Sequence, residues 1–149
     1  KYENPTKLSA TEWLDVFIDQ QGQILRGVQK SGYWLIDVAR AGKYEIELRR
    51  WPKESEGTIN GTLPDGTGNA LPITQAMLYL SGHNHLEIAQ KRSYRFEGLT
   101  KPVREGDKAI TFTMNLKKGP TALHTWFQGR NNTMLSAYYV YLNRKKDSK

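Results

Sequence analysis

Strict alternation of apolar and polar residues is the feature of this sequence that most limits its possible folds. In residues 109–116, every second position is a large apolar residue and each is followed by a small or polar one. Side chains of a β-strand point alternately to opposite faces, so this pattern predicts a strand with one buried face. The same period of two recurs over residues 33–38 and 43–50.

Turn-forming residues separate the alternating segments and suggest how they pair. We expect residues 33–38 and 43–50 to form a hairpin across Ala41 and Gly42, ended by Pro52, which cannot donate to a strand ladder. Residues 53–71 are crowded with Gly, Pro, Asp and Asn, which predicts a long connection. A connection of that length is typical of a functional loop or of a crossing between two sheets.

The second half of the chain repeats this organisation. Residues 73–80 predict a further strand, and Gly119 with Pro120 predicts a turn. We expect residues 122–127 and 135–142 to form a last hairpin across the turn at residues 129–132.

The predicted fold class is all-β: an antiparallel β-sandwich or jelly-roll-like domain of about eight short strands with little helix. The one helical candidate starts at Ser9, which has capping-box spacing to Glu12. A length of 149 residues fits one domain over residues 1–149. Residues 144–149 predict a flexible basic tail. The chain begins at Lys1, and we expect either a fragment of a longer polypeptide or a mature chain from which a segment has been removed.

Several classes of chemistry lack their residues in this sequence. There is no cysteine, no glycine-rich phosphate loop before a helix and no Gly-x-Ser-x-Gly elbow. His83 and His85 have spacing for two metal ligands on one strand face, but a polar turn is the favoured interpretation. Residues 65–69 (DGTGN) leave calcium binding open, with one carboxylate in a turn-forming segment. We therefore predict no catalytic residue and no metal site.

The net charge of +7 suits a polyanionic partner by long-range attraction without requiring one. No apolar run reaches the length of a membrane-spanning helix. Nothing in the sequence resembles a recognition helix or an aromatic RNA-binding strand. We expect neither a nucleic-acid partner nor a membrane partner.

Five blocks of the sequence together resemble one known family. The first is residues 5–8 (PTKL) with Trp13, and the second joins residues 32–38 (GYWLIDV) to residues 41–52 (AGKYEIELRRWP). The others are residues 70–78 (ALPITQAML), residues 116–123 (LKKGPTAL) with the following Trp-Phe pair, and residues 137–141 (AYYVY). In this order and over nearly the whole chain, the blocks resemble a domain that lies downstream of the catalytic domain in bacterial arylsulfatases of the type I, formylglycine family.

This resemblance implies a non-catalytic C-terminal domain of an arylsulfatase, which packs on the catalytic domain and supports it. The catalytic domain of that family uses formylglycine and calcium to hydrolyse sulfate esters. Formylglycine forms from the first residue of a Cys/Ser-x-Pro-x-Arg motif, which this chain lacks. The resemblance therefore implies no sulfatase activity in the chain itself, no cofactor of its own, and a periplasmic or extracellular location. The alternative is a carbohydrate-binding module for sulfated glycans.

Four residues are candidates for contact with a glycan or with a partner domain: Arg49, Arg50, Trp51 and Trp126. Arginine offers two parallel donors to an anionic oxoacid, and tryptophan offers a flat ring to a sugar. Arg50 shares the phase of the apolar face, where its guanidinium would reach solvent at the strand end or pair with a carboxylate at an interface. Trp126 is out of phase with its apolar neighbours, which predicts an exposed face or a partner contact.

Overall fold

The computed structural model describes residues 6–9, 32–82 and 98–146, and it places them in an all-β sandwich. The described part contains one short 3₁₀ turn at Lys53–Ser55 and the following strands: β1 Thr6–Ser9, β2 Tyr33–Val38, β3 Gly42–Arg49, β4 Ile73–Leu80, β5 Leu99–Pro102, β6 Ile110–Leu116, β7 Gly119–Gly129, β8 Met134–Leu135 and β9 Tyr139–Arg144. The predicted fold class is confirmed. No helix in these residues has the length and apolar character that crossing a membrane requires.

Two antiparallel sheets form the sandwich. The four-stranded sheet has the order β1-β9-β3-β6, and the five-stranded sheet has the order β2-β7-β4-β5 with β8 paired to β7. The apolar phase of each strand points inward, so the core lies between the sheets. Fully buried residues come from both sheets: Ile46, Leu48, Val140, Leu78, Leu80, Leu123 and Phe127.

The predicted hairpin between residues 33–38 and 43–50 is wrong, although both strands exist. Strand β2 pairs with β7, whereas β3 pairs with β6 and β9 in the other sheet. The bend between them carries the chain across the sandwich instead of reversing it within one sheet. Because both strands have one apolar face, this crossing lets the two faces meet across the core.

The predicted last strand, residues 135–142, is divided between the two sheets. Strand β8 pairs with β7, and β9 pairs with β1 and β3. The segment that crosses between the sheets is buried, and there hydrogen bonds from backbone amides to side-chain hydroxyls replace the hydrogen bonds between strands. The Ser136 hydroxyl accepts from the Gly32 amide at 3.0 Å, and the Ala137 amide donates to the Thr125 hydroxyl at 3.1 Å. These bonds satisfy backbone groups that the broken ladder would leave unpaired.

Of the remaining sequence predictions, some are confirmed, one is wrong and others lie outside the described residues. Pro52 follows the end of β3 as expected, and residues 53–71 connect β3 in one sheet to β4 in the other. Gly119 and Pro120 begin β7 instead of forming a turn, because Pro120 pairs with Asp37 of edge strand β2. Of the predicted helix, Ser9 ends β1 and the rest lies outside the described residues, as do His83 and His85.

Candidate functional site

The first group of predicted site residues follows strand β3, where the chain enters the long connection. The predicted phase of Arg50 is confirmed, since its side chain is 0% exposed. Its guanidinium carbon lies 4.4 Å from the centre of the Trp51 ring, and Nη1 donates to the Gly61 carbonyl oxygen at 3.0 Å. The expectation that Arg50 reaches solvent at the strand end is wrong, because the long connection closes over it.

Arg50 is a buried cation that forms no ion pair with the described residues. Within the same part of the chain, its Nε and Nη2 atoms have no hydrogen-bond partner. Burial lowers the Arg50 pKa to about 10, although the nearby Tyr138 hydroxyl acts in the opposite direction. Burial likewise raises the pKa of Tyr138 to about 12, and the Arg50 charge opposes that shift. A positive charge is therefore held inside the domain, where solvent screens it weakly.

Trp51 is an internal residue that anchors the long connection. Its Nε1 donates to the Thr58 carbonyl oxygen at 2.9 Å. A Cβ at Gly57 would lie 2.4 Å from Cδ1 of the Trp51 ring, so only glycine fits at this close approach. Trp51 is 2% exposed. The domain as folded therefore does not offer Trp51 or Arg50 to a glycan or to a partner, which corrects the candidate set.

Arg49 lies on the outer face of the four-stranded sheet, among alternating charges. Its Nε is paired with the Glu47 carboxylate, and its guanidinium carbon lies 6.0 Å from the Tyr141 ring centre. Lys53 lies 3.7 Å from the other Glu47 oxygen, and Lys145 lies 3.5 Å from Glu45. Both carboxylates on this face therefore have a cation nearby, so this part of the face is compatible with water.

Trp126 lies on the outer face of the five-stranded sheet and belongs to a group of aromatic rings. Leu123 and Phe127 on the same strand are fully buried, which confirms that Trp126 points the other way. The group, which we call the aromatic ridge, consists of Tyr33, Tyr79, His124 and Trp126. Sequence analysis identified only Trp126 among them.

The aromatic ridge forms because three neighbouring strands place rings side by side. His124 on β7 pairs in register with Tyr33 on β2 and with Tyr79 on β4. The His124 ring stacks with Tyr33 at 5.0 Å and with Trp126 at 5.7 Å, while Tyr79 is tilted by 50° at 5.9 Å. Next to the ridge, Leu35 is 67% exposed. Outward phase could have indicated each ring, but only the strand order β2-β7-β4 brings them together.

The second candidate site is a concave surface, which we call the end cleft, at one end of the sandwich. It has a volume of about 880 Å³. The long connection, the start of β4, the turn after β5 and the turn after β7 enclose it. The lining combines apolar and polar side chains, including Thr58, Asn60, Leu71, Thr74, Glu105 and Arg130.

Close backbone contact gives the end cleft a fixed wall. A Cβ at Gly129 would lie 1.8 Å from the Pro72 carbonyl oxygen, and the Arg130 amide donates to that same oxygen at 3.0 Å. The polar side chains are held less tightly. The Asn60 amide lies 3.5 Å from the Ile73 carbonyl oxygen, and the Thr74 hydroxyl lies 3.4 Å from that of Gln128. Bonds of that length are weak, so a ligand could replace them.

The loop considered for calcium closes on itself. The Asp65 carboxylate accepts from the Thr67 amide at 2.9 Å and from its hydroxyl at 2.7 Å. These bonds lower the pKa of Asp65. Within the described ranges, no three His, Asp or Glu side chains are grouped to hold a metal ion.

Comparisons with known proteins show a similarity of fold only. No family model and no curated protein matches the chain. A similar solved structure is a ruminal GH26 endo-β-1,4-mannanase, with a TM-score of 0.52 and 9% sequence identity. The likeness covers 99% of this chain and 27% of the mannanase chain. At this identity it concerns the fold alone.

Proposed function

We propose that this chain is a non-catalytic accessory domain of an arylsulfatase polypeptide and that its aromatic ridge packs on the catalytic domain. The resemblance across nearly the whole sequence supports the family. The observation that carries the docking role is the contrast between the two outer faces. One face carries ion pairs and cations that lie over tyrosine rings, whereas the other has the aromatic ridge beside an exposed leucine.

Elementary energetics favour covering the part of the aromatic ridge that is still exposed, since its four side chains are half-buried. Burying apolar surface contributes roughly 25 cal/mol per Å², and aromatic residues dominate the cores of interfaces. The rings of the ridge stack on one another, so they cover part of each other's faces. A sugar that stacks on an aromatic ring needs an open face, whereas a packed protein surface can use ring edges as well.

The sequence supports the proposed lack of catalysis in this chain. Sulfate-ester hydrolysis in the resembled family depends on formylglycine, and the precursor motif is missing here. The chain would instead stabilise the catalytic domain on which it packs. By the same resemblance, the parent protein would act in the periplasm or outside the cell.

Binding to a separately produced catalytic domain of the same polypeptide tests the docking role. We expect one-to-one association in sedimentation velocity, and we expect Leu35→Glu and Trp126→Glu to weaken it at least about tenfold. Thr113→Glu is the matched control, because Thr113 is exposed on the outer face of the four-stranded sheet. Equal loss in all three variants, or no association of the wild-type chain, would overturn the docking role.

An activity assay tests the non-catalytic role independently. We expect the purified chain to release no sulfate from 4-nitrophenyl sulfate or from sulfated oligosaccharides. Turnover that stays with the chain through repurification would contradict the proposal.

The second candidate function is a carbohydrate-binding module for sulfated glycans. The buried positions of Arg50 and Trp51 remove two of the residues that suggested it. The end cleft is the observation that favours it, because the cleft is concave and its lining combines polar and apolar groups.

A further inference from the structure

The end cleft lies directly against the buried cation of the domain. Gly61 lines the cleft, and its carbonyl oxygen accepts the hydrogen bond from Arg50 Nη1. One residue therefore separates the guanidinium from the cleft. Arg50 has two nitrogen atoms, Nε and Nη2, without a hydrogen-bond partner, and no carboxylate of the described residues forms an ion pair with it. Because only Gly61 lies between the guanidinium and the cleft, we expect its charge to act on a group bound there.

The side chains of the end cleft add a second positive charge and one negative charge. Arg130 is exposed in the turn after β7 and lines the cleft, where its planar guanidinium can bind an oxyanion through two parallel donors. Glu105 lines the cleft on the turn after β5 and opposes an anion. With Arg50 behind the wall, positive charges outnumber negative ones by two to one.

The neutral groups of the end cleft suit a ligand with many hydroxyls. Thr58, Thr74 and Asn60 supply hydroxyl and amide groups, while Leu71 supplies an apolar surface. A sugar ring has both kinds of surface, with hydroxyls at its edge and C–H groups on its faces. The volume of about 880 Å³ lies within the range of small-molecule sites.

We propose that the end cleft binds an acidic sugar, with Arg130 contacting its oxyanion and Arg50 favouring the negative charge from behind Gly61. Sulfate and carboxylate share the required chemistry. The cleft shares no residue with the aromatic ridge, so this proposal and the docking role can fail separately.

Titrating the labelled full chain by ¹H–¹⁵N NMR in 0.15 M salt tests the proposal. The probes are galactose 6-sulfate, galacturonate and galactose, which keep one ring and change the charged group. We expect shifts at the Gly61, Gly106 and Arg130 amides, with galactose at least about tenfold weaker than an acidic probe. Binding of only one acidic probe identifies the preferred oxyanion and supports the proposal. Equal binding of galactose, or no shifts at these amides, would overturn it.

Matched variants separate the end cleft from the overall charge. We expect Arg130→Gln to weaken binding of the acidic probe about tenfold. Arg40→Gln removes the same charge from an exposed position in the bend between β2 and β3, outside the cleft lining, and should leave binding unchanged. Equal weakening by both variants would show attraction to net charge alone and would refute the site.

Two further variants test the charges around the cleft. Arg50→Met keeps an unbranched side chain in the core, and we expect it to weaken the acidic probe while leaving galactose unchanged. If Arg50→Met fails to fold, Glu105→Gln gives the complementary test, because removing this exposed carboxylate should strengthen acidic binding. An unchanged affinity in Glu105→Gln would contradict the electrostatic argument.

Discussion

The two outer faces of the sandwich arise from the same alternating pattern but carry different types of side chain. On the four-stranded sheet, Glu47 is paired with Arg49 and lies near Lys53. On the five-stranded sheet, His124 holds the corresponding central place among three other rings. Both faces are outward, but charged groups are prominent only on the first, where lysine and arginine side chains lie over the rings of Tyr139 and Tyr141.

This difference shows that outward phase in a strand does not by itself mean a solvated surface. Ion pairs at a solvated surface contribute little stability, and covering them with a partner protein gains little free energy. Stacked rings beside an exposed leucine gain from further burial. The contrast therefore assigns the proposed docking role to one face, and each face can be tested by changing its central residue.

The largest effect should come from the centre of the aromatic ridge. We expect His124→Ala to lower the free energy of unfolding by about 2 kcal/mol, because each aromatic pair contributes roughly 0.5–1.5 kcal/mol beyond area burial. Urea unfolding followed by circular dichroism measures it. Thr113→Ala, on the opposite outer face, is the control. A loss no larger than the control would mean that the ridge adds no stability.

A smaller effect is expected at the centre of the charged face. We expect Glu47→Gln to lower the free energy of unfolding by about 1 kcal/mol, since ion pairs at a protein surface are weak and this one is half-buried. The difference should shrink further in 1 M salt, which screens the remaining attraction. Unfolding at two salt concentrations checks both points. A loss larger than that of His124→Ala would reverse the comparison between the faces.

The smallest change in stability should come from Leu35. Because its side chain is 67% exposed, we expect Leu35→Lys to change the free energy of unfolding by no more than about 0.5 kcal/mol. The fluorescence of a dye that binds exposed apolar surface should nevertheless be lower with the variant than with the wild type, since the variant removes apolar surface beside the ridge. Equal dye fluorescence with both proteins would show that Leu35 is not part of the apolar surface that binds the dye.

Local sequence patterns predicted several parts of this architecture. Alternation located β3, β4 and β6 to within about a residue or two at each end. The same reasoning predicted the inward phase of Arg50 and the outward phase of Trp126. These are properties of one strand, and the two-residue period of a strand determines them.

Pairing between strands was the part that local patterns did not predict. Residues 33–38 and 43–50 had hairpin spacing, yet they joined different sheets. Residues 135–142 had the pattern of one strand, yet the chain crossed the core at residues 136–138. In both cases each apolar face was buried as expected, and only its neighbours differed.

The sequence by itself determined that this chain is an all-β domain, which side chains of each strand share a face, and that sulfatase chemistry lacks its motif here. Only the tertiary structure decided that Arg50 and Trp51 are internal, that Tyr33, Tyr79 and His124 join Trp126, and that Arg50 lies behind the end cleft. The physical reason is the sequence separation of the residues involved. The face on which a side chain lies is determined by its immediate neighbours in the strand, whereas the ridge and the cleft depend on strand order and on loops that bring distant segments together.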